Sequence, residues 1–218
     1  MLPTFQDTTL ITKALTHRSA LNEAAHGVSE SNERLEFLGD AVLELITTDY
    51  LFTTYPAEPE GVLTSYRSAL VKTSSLAKVA LSLGIGEKIL MSKGEEAGGG
   101  RTNESLLADT FEAITGALYL DQGLLAAGTF LKEHLFVTFP EILKKKLYQD
   151  AKSSLQEVVQ AKGLPTPTYE VVQEEGPDHD KVFTVHVLVA GKSIGTGSGK
   201  SKQVAQQEAA QNALDTYA

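Results

Sequence analysis

The segment from Asn32 to Leu43, NERLEFLGDAVL, constrains this chain more than any other. It sets three carboxylates, Glu33, Glu36 and Asp40, into an apolar pattern of helical period, with Arg34 among them. At a helical advance of about 100° per residue the acids share a stripe about 60° wide. Leu35, Leu38, Val42, Leu45 and Ile46 fall on the opposite side. The segment therefore reads as an amphipathic helix carrying an acidic line. Like charges three and four residues apart repel. A divalent cation reverses that sign, because hard oxygen ligands at this spacing suit Mg²⁺. The ordinary explanation of an acidic helix is a solvated face. Here Phe37 and Leu43 flank the acidic line, so its edges are not polar.

A second acidic pair strengthens the metal reading. In Asn103 to Ala113, Asp109 and Glu112 stand at i and i+3, with Leu107, Phe111, Ile114 and Leu118 opposite. Gly116 lies one turn beyond on the acidic side, where the missing side chain leaves room for a neighbouring helix or a ligand. Two helices that each bury one stripe and carry acids on the other can converge four carboxylates, an arrangement suited to two-metal hydrolysis. The five histidines, His17, His26, His134, His179 and His186, show no metal-ligand spacing, and the chain has no cysteine. Zinc and disulfides are thereby set aside.

These segments together resemble the ribonuclease III family. NERLEFLGDAVL is similar to that family's signature, and ESLLADTFEAITGALYLD to its second acidic helix. The opening Ala14-Leu15-Thr16-His17-Arg18-Ser19 and the stretch Glu58-Pro59-Glu60-Gly61 with Thr64-Ser65-Tyr66-Arg67 resemble two further family segments, in the same order. The resemblance covers nearly all of residues 8 to 145. It implies that Glu36, Asp40, Asp109 and Glu112 form the metal-binding core, with Asp40 and Glu112 the pair most tied to catalysis. Glu33 and Glu60 match supporting acids. Glu44 shares the stripe without a family counterpart and is read as solvated.

Grammar along the chain changes near residue 148. Helical periods run through Leu10 to Asn22, Glu33 to Tyr55, Val62 to Leu83, Glu104 to Gln122 and Leu124 to Leu147, separated by turn signals. The stretch from Gly94 to Gly100 has little apolar surface and is expected to be a mobile loop. After the lysines 144–146, a helix over Ala151 to Lys162 stops at Gly163-Leu164-Pro165. Strands follow at Tyr169 to Val172 and Lys181 to Ala190, then a hairpin through Gly191 into Ser193 to Gly199, and an alanine-rich helix over Ser201 to Thr216. This α-β-β-β-α order resembles the double-stranded RNA-binding domain. The family motifs carry over onto Gln156 in the first helix, Pro177 and His179 in the loop between the first two strands, and Lys200 and Lys202 at the last helix. The family usually has further basic residues there, where this chain has Gln203 and Gln206. The expected fold is a two-domain α+β protein: an all-α ribonuclease III endonuclease domain over residues 1–147, then a double-stranded RNA-binding domain over residues 150–218.

Charge alone points the other way. The net charge is −9. The first 147 residues hold 13 basic against 19 acidic residues, and the remainder 6 against 9. Neither part is globally basic, so a polyanion must be held by local clusters and metal ions. No apolar run of membrane-spanning length occurs and no basic, apolar leader opens the chain, which points to a cytoplasmic protein without a membrane partner. The Gly195–Ser201 stretch, GTGSGKS, imitates a phosphate-binding loop. However, Ile194 stands where that motif needs glycine, so no nucleotide cofactor is expected.

The resemblance implies a homodimeric, Mg²⁺-dependent endoribonuclease, with Mn²⁺ as a substitute metal. It would cut double-stranded RNA into 5′-phosphate and 3′-hydroxyl products with short 3′ overhangs, in rRNA and mRNA processing. Phe37 and Leu38 are candidates for the dimer interface. The alternatives are a non-catalytic double-stranded RNA-binding scaffold on the same fold and a metal-dependent phosphohydrolase of small molecules.

Overall fold

The computed structural model describes residues 2–23, 29–146, 148, 150–177 and 181–217. The chain divides into two units, Met1–Tyr148 and Gln149–Ala218, each with its own buried core.

The first unit is helical: α1 Thr8–Ala14, α2 Glu33–Thr54, α3 Glu60–Val71, α4 Thr73–Ser82, α5 Lys93–Ala97, α6 Glu104–His134 and α7 Phe139–Lys144. Helix starts follow local chemistry. Asp7 accepts the Thr9 N–H, Ser92 that of Glu95, and Asn103 that of Leu106, which satisfies donors that a helix leaves open. Phe111, Phe139, Leu43, Leu51, Leu70 and Leu76 are fully buried at the centre. Tyr55, Tyr66 and Phe139 meet edge to face, with centroids 5.2–5.7 Å apart.

α2 and α6 approach unusually closely, and two glycines permit it. A Cβ on Gly39 would lie 1.8 Å from the Glu112 carbonyl oxygen, and one on Gly116 would lie 2.4 Å from that of Leu35. The pair lets backbone rest on backbone. α2 accordingly buries Leu35, Gly39, Val42, Leu43, Thr47 and Leu51. Leu45, expected on the inner side, is 57% exposed, because the stripe that meets α6 is offset by one position from it.

Other boundaries differ for visible reasons. The helix expected over Leu10 to Asn22 stops at Ala14, since the next backbone groups pair with Leu90. The His17 N–H donates to the Leu90 carbonyl at 2.9 Å, and the Leu90 N–H to the Leu15 carbonyl at 2.8 Å. Only a 3₁₀ turn, Arg18–Asn22, follows. The single helix expected over Val62 to Leu83 breaks at extended Lys72, where the Ser75 hydroxyl donates to the Ala69 carbonyl at 2.7 Å. The break expected between Gln122 and Leu124 is present as a kink, because Gly123 leaves helical geometry with φ 82° inside α6. The expected Leu124 to Leu147 helix instead ends at His134, and α7 restarts beside Pro140, which is tolerated only in a first turn.

The stretch expected to be a mobile loop is structured. α5 occupies Lys93–Ala97, capped by Ser92, and a 3₁₀ turn follows at Gly100–Thr102. Arg101 fastens it, pairing with Glu96 at 2.7 Å and donating to the Gly86 carbonyl at 2.8 Å. Polar ties do here what apolar burial could not.

The second unit runs α8 Ala151–Ala161, β1 Thr168–Glu175, β2 Val182–Val189, β3 Lys192–Gly199 and α9 Lys202–Tyr217. The sheet is antiparallel in the order β1-β2-β3, with a bulge between Val171 and Gln173. Ala190 and Gly191, both at positive φ, turn β2 into β3. Val185, Val187 and Val189 face α8 and α9 through Leu155, Val159, Ala205, Ala209, Ala210 and Ala213. Gly195, Gly197 and Gly199 explain the imitation phosphate loop. A Cβ on Gly197 would lie 2.1 Å from the Ala209 nitrogen, so the alternate glycines of β3 admit α9 against the sheet. Among the described residues no helix is long and apolar enough to cross a membrane.

Candidate active site

The glycine contact between α2 and α6 brings their acidic stripes together. One carboxylate oxygen each from Glu36, Asp109 and Glu112 lies within 4.8 Å of the others. Asp40, one turn along α2, is more exposed and stands outside that close set. Its charge nevertheless acts on both Glu36 and Glu112.

The electrostatics are unfavourable as they stand. Burial, then the charges of Asp40, Asp109 and Glu36, push the Glu112 carboxyl up to about 8. Burial raises Glu36 as well, followed by repulsion from Asp109, Glu33 and Asp40. Asp109 is raised by burial, against an opposing pull from His17. Three partly buried acids with raised proton affinity form a site that a cation would relieve. Its donors are all hard oxygens, which fits Mg²⁺ or Mn²⁺ and not a thiolate or imidazole metal.

His17 is not legible from ligand spacing among the histidines. Its Nδ1 accepts the Ser19 N–H at 3.3 Å and lies 2.8 Å from the Ser19 hydroxyl. Ser19 in turn accepts the Ser92 N–H at 2.9 Å. The Thr16–Ser19 turn therefore joins the α5 cap to the edge of the acid cluster. The ALTHRS motif contained the signal, since nothing in helical packing calls for His17.

Neither supporting acid enters the close set. Glu33, at the start of α2, accepts from the Ser31 hydroxyl at 2.7 Å and faces Arg18 at 3.7 Å. Glu60, the first residue of α3, accepts from the Thr64 hydroxyl at 3.0 Å. Glu44 is not merely solvated, because Arg67 pairs with it at 3.0 Å. That guanidinium also donates to the Thr48 hydroxyl at 2.9 Å, so it fixes α3 to α2.

In the second unit, Gln156 is exposed on α8 and Pro177 is exposed beyond β1. His179 lies outside the described residues. Lys200 is exposed before α9, and Lys202 is its first residue. Gln206 is engaged internally: it accepts from Lys152 Nζ at 2.7 Å. The same ammonium sits 4.8 Å over the Tyr169 ring. Gln207 accepts the Ala151 N–H at 3.0 Å and donates to Asp150 at 3.1 Å, which ties the start of α8 to α9.

Residues 7–139 match the model of a ribonuclease-III-like family, and residues 151–217 match that of the double-stranded RNA binding motif. The chain belongs to the ribonuclease III family. It is 48% identical to Ribonuclease 3 of Geobacillus kaustophilus, over 98% of this chain and 86% of that one. It is 49% identical to Ribonuclease 3 of Enterococcus faecalis, over 96% and 91%. Among solved structures, a ribonuclease III nuclease domain from Campylobacter jejuni superposes with TM-score 0.58 at 44% identity. That match covers 63% of this chain and 89% of the other. The protein is thus a ribonuclease III enzyme, an endoribonuclease directed at double-stranded RNA, and its acid cluster falls within the nuclease portion.

Proposed function

We propose that this ribonuclease III is a Mg²⁺-dependent enzyme, active also with Mn²⁺, that leaves 5′-phosphate and 3′-hydroxyl ends with short 3′ overhangs. The observation carrying this reading is the convergence of Glu36, Asp109 and Glu112 to within 4.8 Å on a chain of this family. Residues 1–147 act as the catalytic domain and residues 150–218 as the double-stranded RNA-binding domain. Glu36, Asp40, Asp109 and Glu112 would hold the metal. Mg²⁺ held there would supply an activated water and neutralise charge at the scissile phosphate. Burial and the neighbouring acids push the Glu112 carboxyl up, so a cation held there would favour its ionised form. Asp40 is the most exposed of the four, which supports assigning it to the substrate side of the site. Glu33 supports the site through its charge on Glu36, Glu60 is assigned a less direct supporting role, and the Gly39–Gly116 contact keeps the two helices in register.

The enzyme is read as a homodimer. Phe37 is 82% exposed and Phe52 71% exposed on α2, a large apolar display for a free surface. Leu38 is half-buried in its own unit, which leaves Phe37 the stronger interface residue. A second structure of the Campylobacter jejuni nuclease domain, 44% identical to this chain, is described as flexible in a region involved in dimer formation. We assign the protein to rRNA and mRNA processing in the cytoplasm. Gln156, Pro177, His179, Lys200 and Lys202 are assigned to the duplex: minor-groove contacts from the first three, phosphate contacts from the lysines.

The test is a long RNA duplex incubated with Mg²⁺ or with Ca²⁺, followed by end-group analysis. Cleavage to 5′-phosphate ends with Mg²⁺ is expected. Glu112→Gln and Asp40→Asn should each lower the rate by orders of magnitude while duplex binding persists, and Glu44→Gln should not. Binding without cleavage under any divalent ion would instead make the protein a scaffold.

A further inference from the structure

The lysine that opens α9 does not stand ready for a phosphate. Lys202 Nζ lies 3.2 Å from one carboxylate oxygen of Glu174, and Lys181 Nζ lies 3.5 Å from the other. Glu174 belongs to β1 and pairs in register with Phe183 of β2, whose ring sits 5.4 Å below the Lys202 ammonium. Strand pairing thus fixes the carboxylate and the ring beneath the first turn of the helix. The hydrogen bond from Lys202 holds the Glu174 carboxyl below its ordinary range. Both partners remain open to solvent, with side chains 57% and 39% exposed, so the pair can be broken without unfolding.

We propose that Glu174 competes internally for the Lys202 ammonium and thereby sets the affinity and salt dependence of duplex RNA binding. This rests on the reading of the second unit as an RNA-binding domain. A phosphate approaching Lys202 meets one of two situations. If Lys202 swings out to it, the ion pair is lost. If the pair stays closed, the phosphate sits within a few ångströms of a second anion, well inside the Debye length of about 8 Å at physiological salt. Both lower the yield of the contact. A second consequence is electrostatic. The steep salt dependence of nucleic-acid binding comes from counterions released when cations neutralise phosphates. An ammonium moving from a carboxylate to a phosphate changes partners within the complex, so Lys202 contributes less than a full lysine to the slope. In a chain of net charge −9, such a contact turns a phosphate lysine into a tuned one.

The experiment is a double-mutant cycle on the full-length protein, with divalent ions chelated so that no RNA is cut. Affinity for one RNA duplex is measured by fluorescence anisotropy at several salt concentrations. Glu174→Gln is expected to tighten binding by about twofold to fivefold, the range typical of an exposed ion pair. It should also steepen the salt slope by up to about one unit. In a Lys202→Gln background the same substitution should have little effect on either quantity. Glu170→Gln, on the same strand, removes an equal charge and controls for the general field. Circular dichroism on each variant reports folding, and Glu174→Ala should act in the same direction as Glu174→Gln. Weaker binding by folded Glu174→Gln would overturn the proposal, since Glu174 would then be ordering Lys202 for the phosphate. So would an equal gain in both Lys202 backgrounds, or a matching gain from Glu170→Gln. If the wild-type protein binds no duplex at all, the RNA-binding reading itself fails.

Discussion

Glu112→Gln should raise the stability of the metal-free protein at alkaline pH even though it removes an acid from the active site. In the unfolded chain this carboxyl gives up its proton near 4.5, and in the folded chain it does so near 8. Below about 4.5 both states hold the proton and the group does not affect stability. Between the two values only the folded state binds it, so stability falls as pH rises and the loss is complete above about 8. At about 1.4 kcal/mol per pH unit, the difference sets a ceiling near 5 kcal/mol. Glu112 keeps partial access to solvent, and screening reduces the figure to about 1–2 kcal/mol. For a domain of roughly 150 residues that is about 3–6 °C in melting temperature. Glutamine keeps the shape and never ionises, so it avoids the loss. Thermal melts of wild type and variant in chelator, from pH 5 to pH 9, should coincide at the acid end and separate progressively. Added Mg²⁺ should then close the gap by stabilising the wild type. A variant no more stable than wild type at pH 9, or a gap that does not change with pH, would refute the repulsion argument.

Gly39→Ala should destabilise the nuclease unit by about 3 kcal/mol or more in denaturant titration, because its methyl would lie 1.8 Å from the Glu112 carbonyl oxygen. Cleavage should fall with it, since the helices that carry the acids must separate. Deleting residues 150–218 should leave a folded helical protein by circular dichroism, as the two cores are separate. That fragment should cut RNA at low salt and lose activity steeply as salt rises. Arg67→Ala should lower stability by up to about 1 kcal/mol through loss of the Glu44 and Thr48 ties. It should leave the metal dependence of cleavage unchanged in a Mg²⁺ titration.

Much of the active site could be read from the sequence because helices repeat regularly. The helical period placed Glu36 and Asp40 on one stripe and Asp109 with Glu112 on another, and Gly116 signalled a close neighbour. The partner of that glycine, Gly39, carried no comparable signal. A glycine in mid-helix reads as a weak position until the crossing helix is known. The same limit applied to the charges. Glu44 shares the acidic stripe in sequence, but Arg67 reaches it from another helix.

Local chemistry along the chain determined the broad helical and extended segments, where caps and the Ala190–Gly191 turn fell, and which acids share a helix face, since these depend on neighbours a few residues apart; pairing with distant Leu90 ended α1 at Ala14. The tertiary structure alone decided which acids converge and which stand at the margin. It also decided that Gln206 serves Lys152, and that Lys202 begins its work already bound to Glu174. Those outcomes depend on distances between residues far apart in the chain, and electrostatic energies change steeply over the few ångströms that packing fixes.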